Sequence, residues 1–138
     1  MTAFAAALAL SLGVQGTAAP MRTLDKGGQS GISMPRQVVV QSAEEWAALW
    51  RAHAPDRPQP PVDFARETVV AIFMGTRPTA GFAIEIVGYR DAGSDLVVQY
   101  REAIPPRDAI TAQVLVSPFH VVAIPRRAAK VTFEKAGA

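Results

Sequence analysis

The fold is decided by a stretch in which two apolar runs flank a short polar segment. From residue 68 to residue 87 the chain reads Thr68-Val69-Val70-Ala71-Ile72-Phe73, then Met74-Gly75-Thr76-Arg77-Pro78-Thr79-Ala80-Gly81, then Phe82-Ala83-Ile84-Glu85-Ile86-Val87. The first run is almost continuously apolar and β-branched, and the second alternates between apolar and polar residues. Both runs are therefore predicted to be β-strands. The polar segment is the connection around which the rest of the chain is organised.

This connection is predicted to be stiff, because its backbone is restricted at several positions. Pro78 fixes its own φ and favours an extended conformation at Arg77. Gly75 and Gly81 can adopt positive φ at the two strand ends. A stiff, exposed loop loses little conformational entropy on docking, which suits a partner-binding element. The predicted partner-binding residues are Arg77, Pro78, Thr79, Ala80 and Gly81. The alternative is a plain strand connection in which Pro and Gly serve only as turn residues.

Composition limits the classes of function. The chain has 138 residues, of which 49% are hydrophobic, so it can form one domain with its own core. The net charge of +2 and the scattered basic residues do not resemble the basic patch of a nucleic-acid-binding protein. The chain has no Cys, which excludes disulfides, thiol catalysis and Cys-based zinc sites. The acidic residues lack calcium-loop spacing, so neither a metal nor another cofactor is predicted.

The beginning of the chain has the composition of a secretory signal. The run from Phe4 to Val14 is apolar and too short for a stable membrane anchor. Small residues follow, and cleavage after Ala18 would place Gly16 and Ala18 at the two positions that signal peptidase requires. Residues 1–18 are therefore predicted to be a signal peptide, and the mature protein is predicted to be periplasmic or secreted without a membrane anchor. No Lys or Arg precedes the apolar run, so a start further upstream and an ordinary apolar leader stay open as alternatives.

Downstream of the leader, the sequence predicts a linker and one domain. Residues 19–36 are rich in Gly and Ser and have no period, which is typical of a flexible linker. Residues 37–135 are predicted to form a single β-rich domain. It begins with a short strand at Gln37–Val40, and the capping box from Ser42 to Glu45 predicts a helix directly after it. The helix presents one apolar face, which carries Trp46, Leu49, Trp50 and His53.

The second half of the chain is dominated by strand patterns. After the Phe82 run, strands are predicted at Leu96–Arg101, Ile110–Val116, Phe119–Ile124 and Ala129–Lys135. The set predicts a mainly β fold, a small antiparallel sandwich or partly open barrel of about six or seven strands with one packed α-helix.

The sequence contains few residues in arrangements that are typical of catalytic sites. The only histidines are His53 and His120, and neither has a carboxylate at motif spacing. His53 is predicted to be a helix C-terminal residue favoured by the helix dipole, and His120 a strand residue that is hydrogen-bonded or faces solvent. Ser117 lies near His120, but no nucleophile-elbow sequence surrounds it. The protein is therefore predicted not to be an enzyme, and a hydrolase using Ser117 and His120 is the disfavoured alternative.

Three motifs together carry a resemblance to a known family. They are Val62-Asp63-Phe64, Gly75-Thr76-Arg77-Pro78-Thr79-Ala80-Gly81 and Ser117-Pro118-Phe119-His120-Val121-Val122-Ala123-Ile124-Pro125. Over about residues 62–134, the chain resembles the C-terminal domain of PrcB-type protease-complex subunits. The resemblance implies a bacterial, exported, β-rich accessory domain that associates with and stabilises a partner protease.

The loop at 77–81 also looks like the N-P-T-T-G-Y loop of chagasin-type cysteine-protease inhibitors. Arg77 stands where that family has Asn, Ala80 replaces the second Thr, Phe82 replaces Tyr, and no R-P-W loop follows. The leading prediction is an exported, non-catalytic protein-binding module that is a subunit of a protease complex, and direct protease inhibition through the 77–81 loop is the alternative. If this loop is not the contact, the strand edge around Phe119–Ile124 is the next candidate.

Overall fold

The computed structural model describes residues 20–137, which form seven strands and one helix. In chain order they are β1 (Arg22–Gly27), β2 (Arg36–Val40), α1 (Ala43–His53), β3 (Glu67–Phe73), β4 (Ala83–Ala92), β5 (Asp95–Ala103), β6 (Phe119–Pro125) and β7 (Lys130–Lys135). The strands form two sheets, with the orders β1-β6-β3-β2 and β4-β5-β7. The mainly β fold that the sequence predicts, a small sandwich with one packed helix, is confirmed. The predicted signal peptide lies outside the described residues.

The four-stranded sheet is the middle layer of the molecule. On one face, Val69 of β3 shares a core with Trp46 and Trp50 of α1. On the other face, Val70 shares a second core with Ile84 of β4 in the three-stranded sheet. β3 and β6 are thus buried on both faces, which explains why their sequences are continuous apolar runs and not alternating ones.

Helix α1 begins where the capping box predicts. The Ser42 hydroxyl accepts a hydrogen bond from the Glu45 N–H at 3.2 Å, and the Glu45 carboxylate accepts one from the Gln41 N–H at 3.0 Å. The indole N–H groups of Trp46 and Trp50 donate to backbone carbonyls in the proline-rich connection after the helix, at 2.9 Å and 2.8 Å respectively. The two tryptophans therefore fill the core and also fix the connection that leads to β3.

The linker prediction for residues 19–36 is wrong where the chain forms β1. Arg22–Gly27 pairs antiparallel with β6. As an edge strand, β1 is held by backbone pairing and by polar contacts of its side chains, and only Leu24 among them packs against a buried core cluster. An apolar period is therefore missing from its sequence, and Gly and Ser in the flanking residues resemble a linker.

Two predictions about strands are also wrong. Ile110–Val116 is irregular, and its β-pairing within the described residues is limited to the bridge between Arg77 and Val116. Moreover, the strands are not all antiparallel, because β7 pairs parallel with β5. Between these two strands the chain crosses to the other sheet to form β6, and this crossover returns it in the same direction. No helix within residues 20–137 is long and apolar enough to cross a membrane.

Candidate partner-binding site

The 77–81 loop joins β3 in one sheet to β4 in the other. Gly75 and Gly81 have φ values of 85° and 102°, as the sequence led us to expect. A Cβ atom at Gly81 would lie 3.0 Å from the Cβ of Pro105, closer than real Cβ contacts normally come. The backbone conformation of the loop therefore depends on glycine at this position, both for the dihedral angle and for the available space.

Backbone hydrogen bonds attach this loop to the irregular segment at residues 104–116. The Arg77 N–H donates to the Val116 carbonyl at 2.7 Å, and the Val116 N–H donates to the Arg77 carbonyl at 3.0 Å. The Ala80 N–H donates to the Ala112 carbonyl at 3.0 Å. We call the two segments, residues 77–81 and 104–116, the paired loops. The two segments are distant from each other in sequence but form one hydrogen-bonded unit.

The five predicted residues differ in what they present to a partner. Pro78 and Gly81 are exposed, whereas Arg77, Thr79 and Ala80 are half-buried. The Arg77 guanidinium carbon lies 5.7 Å from the centre of the Phe82 ring, a cation–π arrangement. One Arg77 Nη donates to a backbone carbonyl at 3.3 Å, but its Nε is buried without a hydrogen-bond partner. The loop therefore holds a restrained, half-buried cation whose Nε is enclosed by the protein.

The 104–116 segment carries large apolar side chains that face solvent. Their exposed fractions are 63% for Ile104, 102% for Ile110, 51% for Val114 and 68% for Leu115. In a β-strand, alternate side chains of this segment would enter the core. The apolar pattern therefore predicts a strand at Ile110–Val116, which the structure does not contain. Pro105 and Pro106 interrupt β5 before this point, so the segment leaves the sheet and exposes its apolar residues. Concentrated exposed apolar surface is typical of an interaction site.

A partly buried series of hydrogen-bonded side chains that the sequence does not predict lies at the end of α1. Ser30 Oγ lies 2.8 Å from His53 Nδ1, and His53 Nε2 lies 2.7 Å from Asp25 Oδ2. Arg57 donates to the same Asp25 oxygen at 2.6 Å. The order of groups is that of a hydrolase triad. Sequence reasoning missed it because Asp25 and Ser30 lie in the segment interpreted as a linker.

The protonation states and hydrogen bonds of Ser30, His53 and Asp25 indicate that this arrangement has a structural role. Burial lowers the pKa of His53, although Asp25 opposes this shift. Burial raises the pKa of Asp25, but hydrogen bonds from Arg57 and His53 outweigh it and lower the pKa overall. His53 is therefore neutral at neutral pH, donates from Nε2 to Asp25 and accepts from Ser30 at Nδ1.

An oxyanion site is missing beside Ser30. The N–H of Ser30 donates to the Ser117 carbonyl, that of Gly31 to the His53 carbonyl, and that of Ile32 to the Ser30 hydroxyl. These three donors are thus already engaged, whereas acyl transfer needs free donors for the developing negative charge. What the arrangement does is tie β1, the connection after β1 and the C-terminal end of α1 together.

Ser117 and His120 do not form the dyad considered from the sequence. Ser117 Oγ lies 2.8 Å from Thr76 Oγ1. His120 Nδ1 accepts from the Ile86 N–H at 2.8 Å, so Nε2 carries the proton and donates to Thr23 Oγ1 at 2.9 Å. The hydrolase hypothesis based on this pair is therefore wrong, whereas the prediction of a hydrogen-bonded strand histidine is confirmed. Among residues 20–137, no cluster of His, Asp or Glu side chains is arranged to hold a metal ion.

The alternative contact at Phe119–Ile124 is also excluded as a free edge. This strand is β6, and it lies between β1 and β3 with backbone pairing on both sides.

One family comparison coincides with these elements. Residues 68–125 match the family model described as PrcB C-terminal. The match extends from β3 to the end of β6, so the matched segment contains both paired loops. The resemblance to the C-terminal domain of PrcB-type subunits is thereby confirmed, and it relates the segment in general to protease complexes. No curated protein and no solved structure matches the chain.

Proposed function

We propose that this protein is an exported, non-catalytic subunit that associates with a partner protease and stabilises it. The observation that carries the proposal is that both paired loops lie inside the segment that matches the PrcB C-terminal family model. A stiff loop with a restrained Arg77 is hydrogen-bonded to a segment whose apolar side chains face solvent. Covering such a surface with a protein partner lowers the free energy, because apolar side chains are removed from water.

The exposed side chains supply part of the free energy that association requires. Burying a fully exposed Ile or Leu contributes about 1.5–3 kcal/mol. Ile110 and Leu115 are both exposed by more than half. Because the backbone of the paired loops is already hydrogen-bonded, little ordering is required when the partner binds. These two side chains are the proposed anchors of the interface.

Direct protease inhibition through the 77–81 loop is supported less well. Both the N–H and the carbonyl of Arg77 are bonded to Val116. The main chain at Arg77 is therefore not free to pair with the main chain of a protease cleft. The exposed apolar side chains of the 104–116 segment have no role in that hypothesis, whereas they are the main contact in the proposed one.

Affinity capture tests the proposed function. The mature chain with a C-terminal tag is incubated with the exported fraction of the source cells, and bound proteins are identified by mass spectrometry. We expect a protease that loses activity more slowly on heating when the chain is added. The variant Ile110→Ser/Leu115→Ser should fold normally and capture at least tenfold less, whereas Arg107→Ser on the same segment is the matched control. Equal capture by both variants, or capture of no protease, would contradict the proposal. A loss of protease activity on adding the chain would favour inhibition.

Export is the part of the proposal that N-terminal sequencing tests. The Tyr89 hydroxyl donates to the Pro20 carbonyl at 2.7 Å, so the described chain is attached to the domain from its first residue. Cleavage after Ala18 would leave this contact intact. We expect the exported form to begin near Ala19 or Pro20. Recovery of the exported form with Met1 intact would contradict cleavage.

A further inference from the structure

β2 is an outer strand whose second edge has no partner strand among the described residues. It pairs with β3 on one side only. Its register with β3 is regular from Arg36 to Val40, without a bulge. The strand contains three consecutive valines and neither Pro nor Lys. Natural edge strands are usually blunted by Pro, Lys or a bulge, so this edge is unusually suited to pairing with another strand.

The direction of the free backbone groups follows from hydrogen bonds at the two ends of β3. The Met74 N–H donates to the Pro118 carbonyl, and the Arg126 N–H donates to the Arg66 carbonyl. In an antiparallel pair, alternate residues direct both backbone groups to the same neighbour. Even-numbered β3 residues therefore bond β6, and odd-numbered ones bond β2.

The register transfers this alternation to β2. Arg36, Val38 and Val40 lie opposite Phe73, Ala71 and Val69, which are odd-numbered residues of β3. These three β2 residues bond β3, so the N–H and carbonyl groups of Gln37 and Val39 point to the free edge. They can make four backbone hydrogen bonds with an added strand.

Grooves flank this edge on both faces of the sheet. On the helix side, a groove of about 290 Å³ is lined by Val38, Leu49 and other residues of α1. Between the two sheets, grooves of about 360 Å³ and about 300 Å³ lie at the two ends of β2, beside Gln37 and beside Val39 respectively. Successive side chains of an extended strand point to opposite faces. An added strand could therefore place its side chains alternately into the grooves on the two sides.

The charges at the two ends of β2 are opposite. Arg36 and Arg77 line the groove at the N-terminal end of β2. Arg77 is half-buried, and the nearby Glu102 already pairs with Lys135 at 2.9 Å. At the other end, Glu45 lines both adjacent grooves. A strand that carries an acidic group near Arg36 and a basic group near Glu45 would complement both ends.

We infer that β2 binds an extended segment of a partner protein as an added antiparallel strand, with a carboxylate of that segment beside Arg36 and Arg77. The segment would run opposite to β2, so its acidic group lies near its C-terminal end. The inference rests on the proposed function for the choice of a protein partner, but it uses a different surface from the exposed side chains of the 104–116 segment. Arg77 lies at the boundary of the two surfaces.

A phage-displayed library of random ten-residue linear peptides tests this inference with the purified chain. We expect enrichment of peptides with alternating β-branched residues and an acidic residue towards the C-terminal end. Val39→Pro removes an N–H that faces the edge and leaves the β2–β3 hydrogen bonds in place, so it should weaken binding of an enriched synthetic peptide at least tenfold. Val39→Ile keeps the N–H and is the matched control.

Two further measurements keep the test decisive if Val39→Pro does not fold. In the free chain, the amides of Gln37 and Val39 should exchange with deuterium much faster than those of Val38 and Val40, and the bound peptide should protect them. Arg36→Glu should change the selected peptides from acidic to basic at the C-terminal end. Ile110→Ser/Leu115→Ser should leave peptide binding unchanged, so that failure of the proposed function and failure of strand addition are distinguishable.

Several results would overturn the inference. They are the absence of any enriched linear peptide, undiminished peptide binding by folded Val39→Pro, and unprotected Gln37 and Val39 amides in the complex. Concentration-dependent dimerisation that Val39→Pro abolishes would assign the edge to a second copy of this chain instead.

Discussion

His120 shows how a single buried side chain joins two sheets. It lies on β6, accepts from the backbone of Ile86 on β4 and donates to Thr23 on β1. Protonation at Nδ1 would replace the acceptor by a second donor that faces the Ile86 N–H. Burial lowers the pKa of His120 to about 4, with a further contribution from Lys26 that Glu85 opposes. The neutral ring is thus required by the fold.

The free energy of unfolding should therefore fall on acidification. Because the folded pKa is about 4 and the ordinary value is 6.5, the unfolded chain binds a proton that the folded chain excludes between these pH values. The stabilisation is complete above pH 6.5 and is lost as the pH falls towards 4, by about 3 kcal/mol at most. Urea unfolding at pH 7 and pH 5 measures this slope. Glu85 stays ionised in this window, since Arg101 and Lys26 lower its pKa to about 2.

The matched variant for this prediction is His120→Asn, which has no titrating group at this position. It should be less stable than the wild type at pH 7 but lose less stability between pH 7 and pH 5. His53, whose pKa is also lowered by burial, should account for part of the remaining slope. An identical slope in the variant and the wild type would show that His120 does not exclude the proton.

Ser30 should be chemically unreactive despite its hydrogen bond to His53. The surrounding N–H groups are engaged, so a negatively charged oxygen on a bound electrophile would find no donors. We expect a fluorophosphonate probe not to label the folded chain. Labelling that Ser30→Ala removes would overturn this interpretation and restore a catalytic one.

At the scale of the elements, α1 is the part of the fold that the sequence predicts best. Its capping box and its apolar spacing are local signals, and local signals survive in any tertiary context. β1 was missed for the opposite reason, because an edge strand needs backbone pairing but few apolar side chains. The exposed residues of the 104–116 segment were interpreted as a strand, since a sequence does not distinguish an apolar residue that faces the core from one that faces a partner.

The contribution of α1 to the free energy of unfolding can be tested at Trp50. Its ring is buried, and its indole N–H donates to the Arg57 carbonyl at 2.8 Å. Trp50→Ala should lower the free energy of unfolding by about 3–5 kcal/mol, as large-to-small core substitutions do. Chemical denaturation measures the change, and the exposed Arg51→Ala in the next position should change it by less than about 0.5 kcal/mol. A loss for Trp50→Ala as small as that of the control would show that α1 is not docked on the sheet.

At the scale of the whole molecule, the two proposed contact surfaces lie in one region of the sandwich. The paired loops and the N-terminal end of β2 meet at Arg77, which contacts Val116 through its backbone and lines a groove beside Arg36. The sequence predicted the position and stiffness of the 77–81 loop, because Pro and Gly act locally. It did not predict that the segment containing Ala112 and Val116 would pair with Ala80 and Arg77 of this loop, since that contact depends on the crossover between the sheets.

We propose that the region around the 77–81 loop contacts a protein partner. The most direct measurement is the affinity of the captured partner for the wild type and for Arg77→Ala/Thr79→Ala, with unfolding curves for both. Gly81→Val, which forces a β-branched residue into a φ of 102°, is the control that should damage folding itself. For the double variant we expect an unchanged free energy of unfolding, within about 1 kcal/mol, and an affinity at least tenfold weaker. Unaltered affinity in the folded double variant would contradict the proposal.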